Sequence, residues 1–334
     1  MRVFVFEYIT GGGMLDSPMP PSLAEEGDMM LMSLLSDLLE INGIEIFVTR
    51  DARLGRLNLP VECHLLRGME DFTAAWVDCL EQADAVWPIA PEFSNVLLHI
   101  SETVVNQGKL LLNSPPSAVE TTSSKSLTSK RLRQQGISVV PTYRFEEGVP
   151  DHFGSWVLKP DDGVGCQGIR LCHDRDELFQ QLKLMPVGGD YVAQPFIHGT
   201  PTSINMLVNQ GQALVMSVNH QRIAMTDTGF MLLGCVVNGQ LEDKTRFRNL
   251  GKAVAAAMPD LWGIIGVDII DTKEGLQVLE INPRLTTSYV GLRESTGINP
   301  AALVFDLLQN KQPLVEDMLN ASVVDVNLEF AGAA

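Results

Sequence analysis

The sequence GLQVLEINPR, residues 275 to 284, closely follows a second apolar run, GIIGVDIID, residues 263 to 271. Both runs are rich in β-branched residues, and residues 272 to 275 at their junction have the composition of a turn. This pattern predicts an antiparallel β-hairpin. Because side chains alternate between the two faces of a strand, the hairpin also predicts which of its polar residues meet.

The predicted hairpin brings several polar side chains to one patch. Glu280 and Asn282 are two residues apart and share a face, and a turn centred near Glu274 sets Asp268 opposite Glu280. Two carboxylates and an amide oxygen, without His or Cys, suit a hard cation such as Mg²⁺. Arg284 follows at once and offers a fixed positive charge to bound phosphates. The hairpin alone leaves a second interpretation open, in which these residues face solvent.

The composition predicts a globular protein with more than one structural unit. Of the 334 residues, 45% are hydrophobic and 19% are charged, which is sufficient for a substantial core. No apolar run approaches the roughly 20 residues of a membrane-spanning helix. The start MRVFVFEY lacks the features of a secretory signal. We therefore expect a cytoplasmic protein without a membrane partner.

Charge and cysteine content exclude further classes of protein. The formal net charge is −17 and no basic cluster interrupts it, so no nucleic-acid partner is expected. The five cysteines form no C-x-x-C pair, and an odd number argues against a disulfide framework. We expect these cysteines to be packed thiols rather than catalytic groups.

The first third of the chain has the pattern of a βαβ unit. A strand is predicted at residues 3 to 6, a helix after the capping-box pattern of Ser22 and Glu25, and a second strand at residues 44 to 48. Such units build parallel sheets whose loops gather at the carboxyl ends of the strands, where small ligands bind. Residues 1 to 113 are therefore predicted to form one Rossmann-like α/β unit.

Two features of this unit fall where a ligand crevice is expected. The segment EYITGGG, residues 7 to 13, lacks the G-x-G-x-x-G spacing, so it is either a flexible turn or a substrate loop. Glu92 follows a strand predicted at residues 85 to 87 and is a candidate to face the same crevice. The sequence alone assigns neither feature a ligand.

A second glycine-rich stretch, LKPDDGVGCQGIRL at residues 158 to 171, joins two strand-like runs. Its glycines at positions 163, 165 and 168 let backbone N–H groups approach a phosphate, and Lys159 adds a positive charge at the entrance. The stretch is not a P-loop, because the G-x-x-x-x-G-K-[ST] pattern is absent. An ordinary hairpin turn is the alternative interpretation.

Two other segments carry candidate ligand groups. Lys125 stands near the start of a predicted helix, where a lysine is ordinarily solvated. The segment QPFIHG, residues 194 to 199, is a strand interrupted by Pro195, which indicates an edge strand or a hinge. Apolar Phe196 and Ile197 in this segment would suit an adenine ring.

Taken together, these motifs resemble those of the ATP-grasp ligases in order and spacing. The motifs are Lys125, the LKP-plus-glycine loop at 158 to 168, QPFIHG at 194 to 199, GVD at 266 to 268 and LEINPR at 279 to 284. The resemblance covers roughly residues 115 to 310. It implies an α/β chain in which an N-terminal pre-ATP-grasp domain is followed by a two-lobed α+β ATP-grasp fold. The implied domains are residues 1 to 113, a small lobe at 114 to 190, and a large lobe at 191 to 334.

The resemblance implies a site for ATP and for Mg²⁺ or Mn²⁺. The implied metal ligands, Asp268, Glu280 and Asn282, are those that the hairpin brings together. Two departures from the family pattern stand out, since Pro195 replaces an acid found in many members and Cys166 lies where Ser or Gly is common. The implied nucleotide contacts are Lys125, Lys159, Gly163, Gly165, Gly168, Gln194, Phe196 and Ile197.

The reaction that the resemblance implies is ATP-dependent amide formation between a carboxylate and an amine through an acyl phosphate. Arg284 would neutralise phosphate charge. Arg222 and Arg293 are candidates to hold the substrate carboxylate, because a guanidinium pairs with it bidentately, although each is as readily a surface arginine. Ser288 and Tyr289 are candidates to contact the acyl acceptor.

A narrower resemblance concerns EYITGGG and the N-x-Q pattern at residues 219 to 221. Both are similar to the group that contains tyramine–glutamate ligase of methanofuran biosynthesis. The expected partners are therefore a small-molecule carboxylate and an amine, and the family further implies a homodimer. Three alternatives stay open: another amino-acid or dipeptide ligase, a small-molecule kinase, and a non-catalytic ATP-binding regulatory module. A regulatory module would not need the complete set from Asp268 to Arg284.

Overall fold

The computed structural model describes residues 1–151, 154–163, 168–226, 229–239, 244–311 and 322–328. Within them the chain forms three sheets, which confirms the predicted α/β class with a parallel N-terminal sheet and antiparallel sheets after it. In the described part of the chain no helix is both long and apolar enough to cross a membrane. Gly165 and Cys166 of the predicted phosphate loop lie outside the described residues.

The N-terminal unit is a five-stranded parallel sheet with the strand order β3-β2-β1-β4-β5. Residues 3 to 6 of the central strand are all buried, because helices cover both faces of such a sheet. Its elements are β1 (Arg2–Glu7), α1 (Pro21–Leu38), β2 (Glu45–Asp51), β3 (Glu62–Leu66), α2 (Met69–Gln82), β4 (Ala85–Ile89), α3 (Val96–Asn106) and β5 (Leu110–Leu111).

The structure corrects one local prediction in this unit. Ser22 lies inside α1, which begins with Pro20 at its N-cap and has no side-chain cap, so the predicted capping box is wrong. The glycine segment forms a helical turn, Ile9–Gly13. The Thr49 hydroxyl donates a hydrogen bond to the Gly11 carbonyl oxygen (2.7 Å), and this bond ties the turn to β2.

The small lobe is built on a four-stranded antiparallel sheet with the order β6-β9-β7-β8. The predicted strand pair around the glycine loop is confirmed as β7 and β8. Pro195 ends β9, which has a partner on each side, so the prediction of an edge strand is wrong. The elements are α4 (Pro116–Ser123), α5 (Lys125–Gln134), β6 (Tyr143–Arg144), β7 (Trp156–Pro160), β8 (Arg170–Cys172), α6 (Arg175–Leu182) and β9 (Tyr191–Pro195). The sheet thus extends five residues beyond the boundary expected at 190.

The large lobe is a six-stranded antiparallel sheet with the order β14-β13-β10-β11-β12-β15. The predicted hairpin is confirmed as β13 and β14, with Asp268 paired to Glu280. The elements are β10 (Thr200–Asn209), β11 (Gln212–Met225), β12 (Phe230–Val237), α7 (Lys244–Ala257), β13 (Gly263–Thr272), β14 (Gly275–Asn282), α8 (Leu292–Thr296), α9 (Pro300–Leu308) and β15 (Val324–Asn327).

The two faces of the large sheet differ in polarity, and this difference positions the site. On one face Ile204 and Met206 of β10 pack with Phe247 and Val254 of α7 in a buried apolar core. The opposite face is polar, because alternate residues of the same strands point away from α7. Ser203, Asn205, Asn219, Gln221, Asp268, Glu280 and Asn282 lie on this side.

Candidate active site

The centre of the polar face is the carboxylate pair Asp268 and Glu280. The Gln221 side-chain amide donates to Asp268 Oδ1 (2.8 Å), and the Asn282 amide donates to Asp268 Oδ2 (3.2 Å). A register shift directly after Asp268 interrupts regular pairing of the two strands. The hairpin therefore holds the three predicted metal ligands in one patch.

Two lysines from other elements converge on the same patch. The Nζ atoms of Lys125 and Lys159 each lie 3.7 Å from Glu280 Oε2. Lys159 belongs to β7 of the small sheet, and Lys125 is the first residue of α5. Both side chains are buried, at 6% and 3% exposure, so their charges act in a poorly solvated environment.

The surroundings of the patch shift the pKa values of its two carboxyl groups in opposite directions. Burial raises the pKa of the Asp268 carboxyl, and the nearby charge of Glu280 raises it further. Burial opposes ionisation of Glu280 as well, but positive charges outweigh burial and lower the pKa of its carboxyl. These charges belong to Lys125, Lys159 and Arg284.

The donor set fits a hard divalent cation. Two carboxylates that repel each other in a buried site are stabilised by a cation between them, and carboxylate and amide oxygens are ligands that Mg²⁺ accepts. Among the described residues no cluster of three His, Cys, Asp or Glu side chains has the geometry of a metal site. The predicted third ligand is the Asn282 amide oxygen, and its contact with a metal stays a prediction.

Asp161 fixes the position of Lys125, a role that the sequence analysis missed. Its Oδ1 accepts from the Ser126 backbone N–H (2.8 Å), and its Oδ2 accepts from the Ser124 hydroxyl (2.6 Å). The Lys125 ammonium donates to the carbonyl oxygens of Asp161 and Gly163. The start of α5 is thus bound to the loop that follows β7, which brings both lysines to one place.

A cavity of about 340 Å³ lies between the small and large sheets, and Lys159, but not Lys125, is among its lining residues. Such a volume is within the range of small-molecule sites. The Gln194 amide donates to the Thr142 hydroxyl (2.9 Å) at its wall. The Phe196 ring stacks on Phe230 with centroids 6.1 Å apart. We call it the nucleotide cavity after its predicted ligand, and its lining residues include Gln194, Phe196, Ile197, Lys159, Asp268 and Glu280.

The predicted phosphate loop is described only at its two ends. Gly163 and Gly168 both pack against the Pro160 ring, and Gly168 has φ +70°, a conformation that favours glycine. Neither residue lines the nucleotide cavity. Their predicted contact with phosphate stays a prediction.

Arg284 connects the hairpin to the N-terminal unit. Its Nη2 donates to Glu92 Oε2 (2.9 Å), and its Nη1 donates to the Leu285 carbonyl oxygen (2.9 Å). Both charged side chains are largely buried, at 13% and 5% exposure. Glu92 is therefore the buried partner of Arg284, and its predicted place in the ligand crevice stays a prediction.

A second cavity, of about 380 Å³, lies between the N-terminal unit and β12. Phe230 and Leu232 line both this cavity and the nucleotide cavity. A small polar cavity of about 80 Å³ shares Asp268 and Glu280 with the nucleotide cavity and shares Arg284 with the second one. We call the patch around Asp268 and Glu280 the polar centre. It lies between the two larger cavities.

The other predicted arginines lie elsewhere. Arg222 donates to Asp325 (3.0 Å) and to the Val326 carbonyl oxygen (2.8 Å), which ties β11 to β15. Arg293 pairs with Asp37 (3.2 Å) and Glu40. Neither arginine lines any of the three cavities. Acids of the protein already pair with both arginines, and their assignment as substrate clamps stays a prediction.

The two candidates for acceptor contacts also separate. The Ser288 hydroxyl donates to the Asn205 side chain (3.2 Å) and lines the small polar cavity. The Tyr289 hydroxyl donates to Asp37 (2.6 Å) and lies away from the three cavities, and its contact with substrate stays a prediction. Glu26, which no sequence pattern indicated, lines both the second and the small polar cavity.

Comparison with known families agrees with this geometry. A family model described as ATP-grasp domain matches residues 122–288, and one described as pre ATP-grasp 3 domain matches residues 44–119. The chain belongs to the ATP-grasp family. The expected fold and the expectation of an enzyme of the ATP-grasp ligase type are thereby confirmed.

Individual relatives of this ATP-grasp chain are distant. A tyramine–L-glutamate ligase from Methanocaldococcus fervens is 25% identical over 294 residues, covering 87% of this chain and 89% of the relative. An ATP-grasp superfamily protein from Archaeoglobus fulgidus superposes with a TM-score of 0.71 at 24% identity, covering 98% and 100% of the two chains. An L-amino acid ligase from Bacillus licheniformis gives a TM-score of 0.65 at 21% identity, covering 96% and 74%. The two solved structures establish the fold alone.

Proposed function

We propose that the chain is an ATP-dependent carboxylate–amine ligase that forms an amide through an acyl phosphate. The observation that supports this function best is the place of the polar centre between two cavities. A phosphate held by the two lysines and by a metal ion on Glu280 would stand between the nucleotide and a second substrate. Transfer of a phosphoryl group to a second substrate needs this arrangement.

The nucleotide cavity would hold ATP. Its apolar wall, which includes Phe196 and Ile197, suits adenine, and Lys125 and Lys159 carry the positive charge that the phosphates require. Asp268, Glu280 and Asn282 would hold Mg²⁺, with Mn²⁺ as the alternative ion. The bound metal would neutralise charge on the phosphate oxygens.

The proposed reaction has two steps, formation of the acyl phosphate and formation of the amide. An oxygen of the substrate carboxylate attacks the γ-phosphorus, the bond to the β-phosphate oxygen breaks, and ADP leaves. The amine nitrogen then attacks the acyl carbon, the C–O bond to phosphate breaks, and phosphate leaves with that electron pair while an N–H proton is released. Arg284 and the two lysines stabilise the charge that develops on the phosphoryl oxygens.

The described cysteines are consistent with a mechanism that needs no protein nucleophile. Burial raises the pKa of the Cys235 and Cys79 thiols to about 12, and that of Cys172 to about 11. Such thiols stay protonated and unreactive near neutral pH. Catalysis would therefore depend on positioning and electrostatics.

The names of the relatives suggest the first substrates to test. Tyramine–L-glutamate ligases match this chain over most of their length, although at 25% identity or less. L-Glutamate is therefore proposed as the carboxylate and tyramine as the amine, in the biosynthesis of a cofactor of the methanofuran type.

The experiment is a matrix of amino acids against amines with purified protein, ATP and Mg²⁺, with ADP release as the readout. The proposal requires release that depends on both an acid and an amine, together with an amide product detected by mass spectrometry. A phosphorylated acid that forms at full rate without amine and never yields an amide would instead establish a kinase.

A further inference from the structure

The second cavity carries two carboxylates, Glu7 and Glu26, that the proposed reaction leaves without a role. Both line the cavity, whose other walls are mainly apolar. Arg284 is the single positively charged residue among the described lining residues, and it is already paired with Glu92. The charge of this cavity is therefore suited to a cation.

Glu7 is a buried acid held only by neutral donors. It lies at the end of β1 with 3% exposure. Its Oε2 accepts from the backbone N–H and the hydroxyl of Thr10 (2.6 Å each), and its Oε1 accepts from the Ile9 N–H (3.2 Å). Within the described ranges no Lys or Arg forms an ion pair with it. These bonds orient the carboxylate without neutralising it.

Gly27 shows how closely α1 approaches this acid. A Cβ atom at position 27 would lie 2.8 Å from the Glu7 carboxyl carbon, which is closer than two atoms can pack. Glycine thus lets the helix pass beside the carboxylate, and Gly27 itself lines the cavity. Leu23 and Met30 are one turn away on α1 and add apolar surface to the same wall.

Glu26 extends the acidic surface toward the polar centre. It lines the second cavity and also the small polar cavity that contains Glu280 and Arg284. The Thr287 hydroxyl donates a hydrogen bond to its carboxylate and so fixes it. A positively charged group bound between Glu7 and Glu26 would therefore stand beside the place where the acyl phosphate forms.

We propose that the second cavity binds the amine substrate, with its amino group at Glu7 and Glu26 and an aromatic or branched apolar body against Ile9, Met30, Phe93 and Phe230. This inference rests on the proposed ligase function and names the class of its acceptor. The acceptor is a primary amine without a carboxylate beside the amino group. A carboxylate next to the amino group of the ligand would lie close to Glu7 and Glu26, and charge repulsion would weaken binding.

The test is calorimetric binding of tyramine and of L-tyrosine to the full chain without ATP, since the two differ only in the α-carboxylate. Tyramine is expected to bind at least 30-fold more tightly than L-tyrosine. Isoamylamine against L-leucine tests the same difference on an aliphatic body. Equal affinities within either pair, or no binding of either amine, would overturn the inference.

Variants assign the effect to the two acids. Glu7→Gln and Glu26→Gln are each expected to weaken tyramine binding at least tenfold, which corresponds to about 1.4 kcal/mol. Glu25→Gln is the matched control, because it removes the same charge from the neighbouring residue of α1, which does not line the cavity. The inference is wrong if the control weakens binding as much as the two variants, or if Glu26→Gln binds tyramine normally.

Turnover separates this inference from the proposed function. In an active wild-type enzyme, Glu26→Gln should raise the KM of the amine at least tenfold while the KM of ATP changes less than twofold. A parallel rise of both KM values would indicate structural damage and contradict an amine site. Amine binding without acid- and amine-dependent ADP release would refute the ligase while leaving the binding site in place.

Discussion

The polar centre and the second cavity are adjacent but are built in opposite ways. The proposed metal ligands of the polar centre lie within residues 268 to 282, on two neighbouring strands whose register sets them side by side. The second cavity is lined by residues from Glu7 to Leu328, drawn from the N-terminal sheet, the large sheet and α1. Strand register therefore places the proposed metal ligands, whereas tertiary packing forms the proposed amine site. Substitutions in the two regions should consequently fail in different ways.

The largest effect is expected at the polar centre. Glu280→Gln removes a proposed metal ligand and the negative charge that both lysines face, so kcat should fall on the order of 10³-fold. The measurement is ADP release at saturating substrates. Asp271→Asn is the control, because Asp271 lies on β13 but pairs with Arg246 outside the cavities. Retention of more than a tenth of the wild-type rate by Glu280→Gln would contradict the role of this carboxylate.

The second cavity should differ from the polar centre in a pH-dependent contribution of Glu7 to protein stability. Burial raises the pKa of the Glu7 carboxyl from 4.5 to about 7. The folded state thus binds this proton more tightly than the unfolded state, so the stability from Glu7 is complete below pH 4.5 and is lost as pH rises through 7. Glu7→Gln does not titrate, so its stability relative to wild type should rise by about 3 kcal/mol between pH 4.5 and 8.

Urea unfolding of both proteins across this pH range measures the difference directly. Glu25→Gln should show no such trend, because Glu25 does not line the cavity. A stability difference between Glu7→Gln and wild type that stays constant from pH 4.5 to 8 would show that burial does not raise the pKa of Glu7.

An intermediate effect is expected where the small lobe reaches the polar centre. Lys159→Met keeps an apolar stem but removes the charge 3.7 Å from Glu280, so kcat/KM for ATP should fall about 10²-fold. Lys130→Met is the control, since Lys130 is exposed on α5. Steady-state kinetics with varied ATP gives the result, and equal losses in the two variants would refute a specific role for Lys159.

The smallest effect is expected at the apolar wall of the nucleotide cavity. Phe196→Ala removes a ring that stacks on Phe230 and should raise the KM of ATP about tenfold with little change in kcat. Phe145→Ala is a suitable control, because that ring packs on Phe179 away from the cavity. A fall in kcat alone would show that Phe196 acts on the chemistry and not on binding.

The sequence predicted the polar centre because strand alternation and a short turn are local rules. Asp268 and Glu280 could be paired from the position of the turn alone. The GVD and LEINPR motifs then identified the family. These inferences need no knowledge of how distant segments pack.

The remaining features depended on packing between segments distant in sequence. Glu26 lies on a helix with no motif of its own, and only the approach of α1 to β1 and to Thr287 brings it to the site. The acidic partners of Arg222 and Arg293 could not be foreseen, because Asp325 and Asp37 are 103 and 256 residues away in the chain. The strand β3 and the helix α2 also went unpredicted.

The most direct test of the central claim follows oxygen from the carboxylate. The acid that supports amide formation, L-glutamate in the first instance, is labelled with ¹⁸O in both carboxylates and incubated with ATP, Mg²⁺ and the amine. An acyl phosphate at the polar centre predicts one ¹⁸O atom in each phosphate released with ADP. Unlabelled phosphate, or the release of AMP and pyrophosphate, would show that the carboxylate is not activated by transfer of the γ-phosphoryl group.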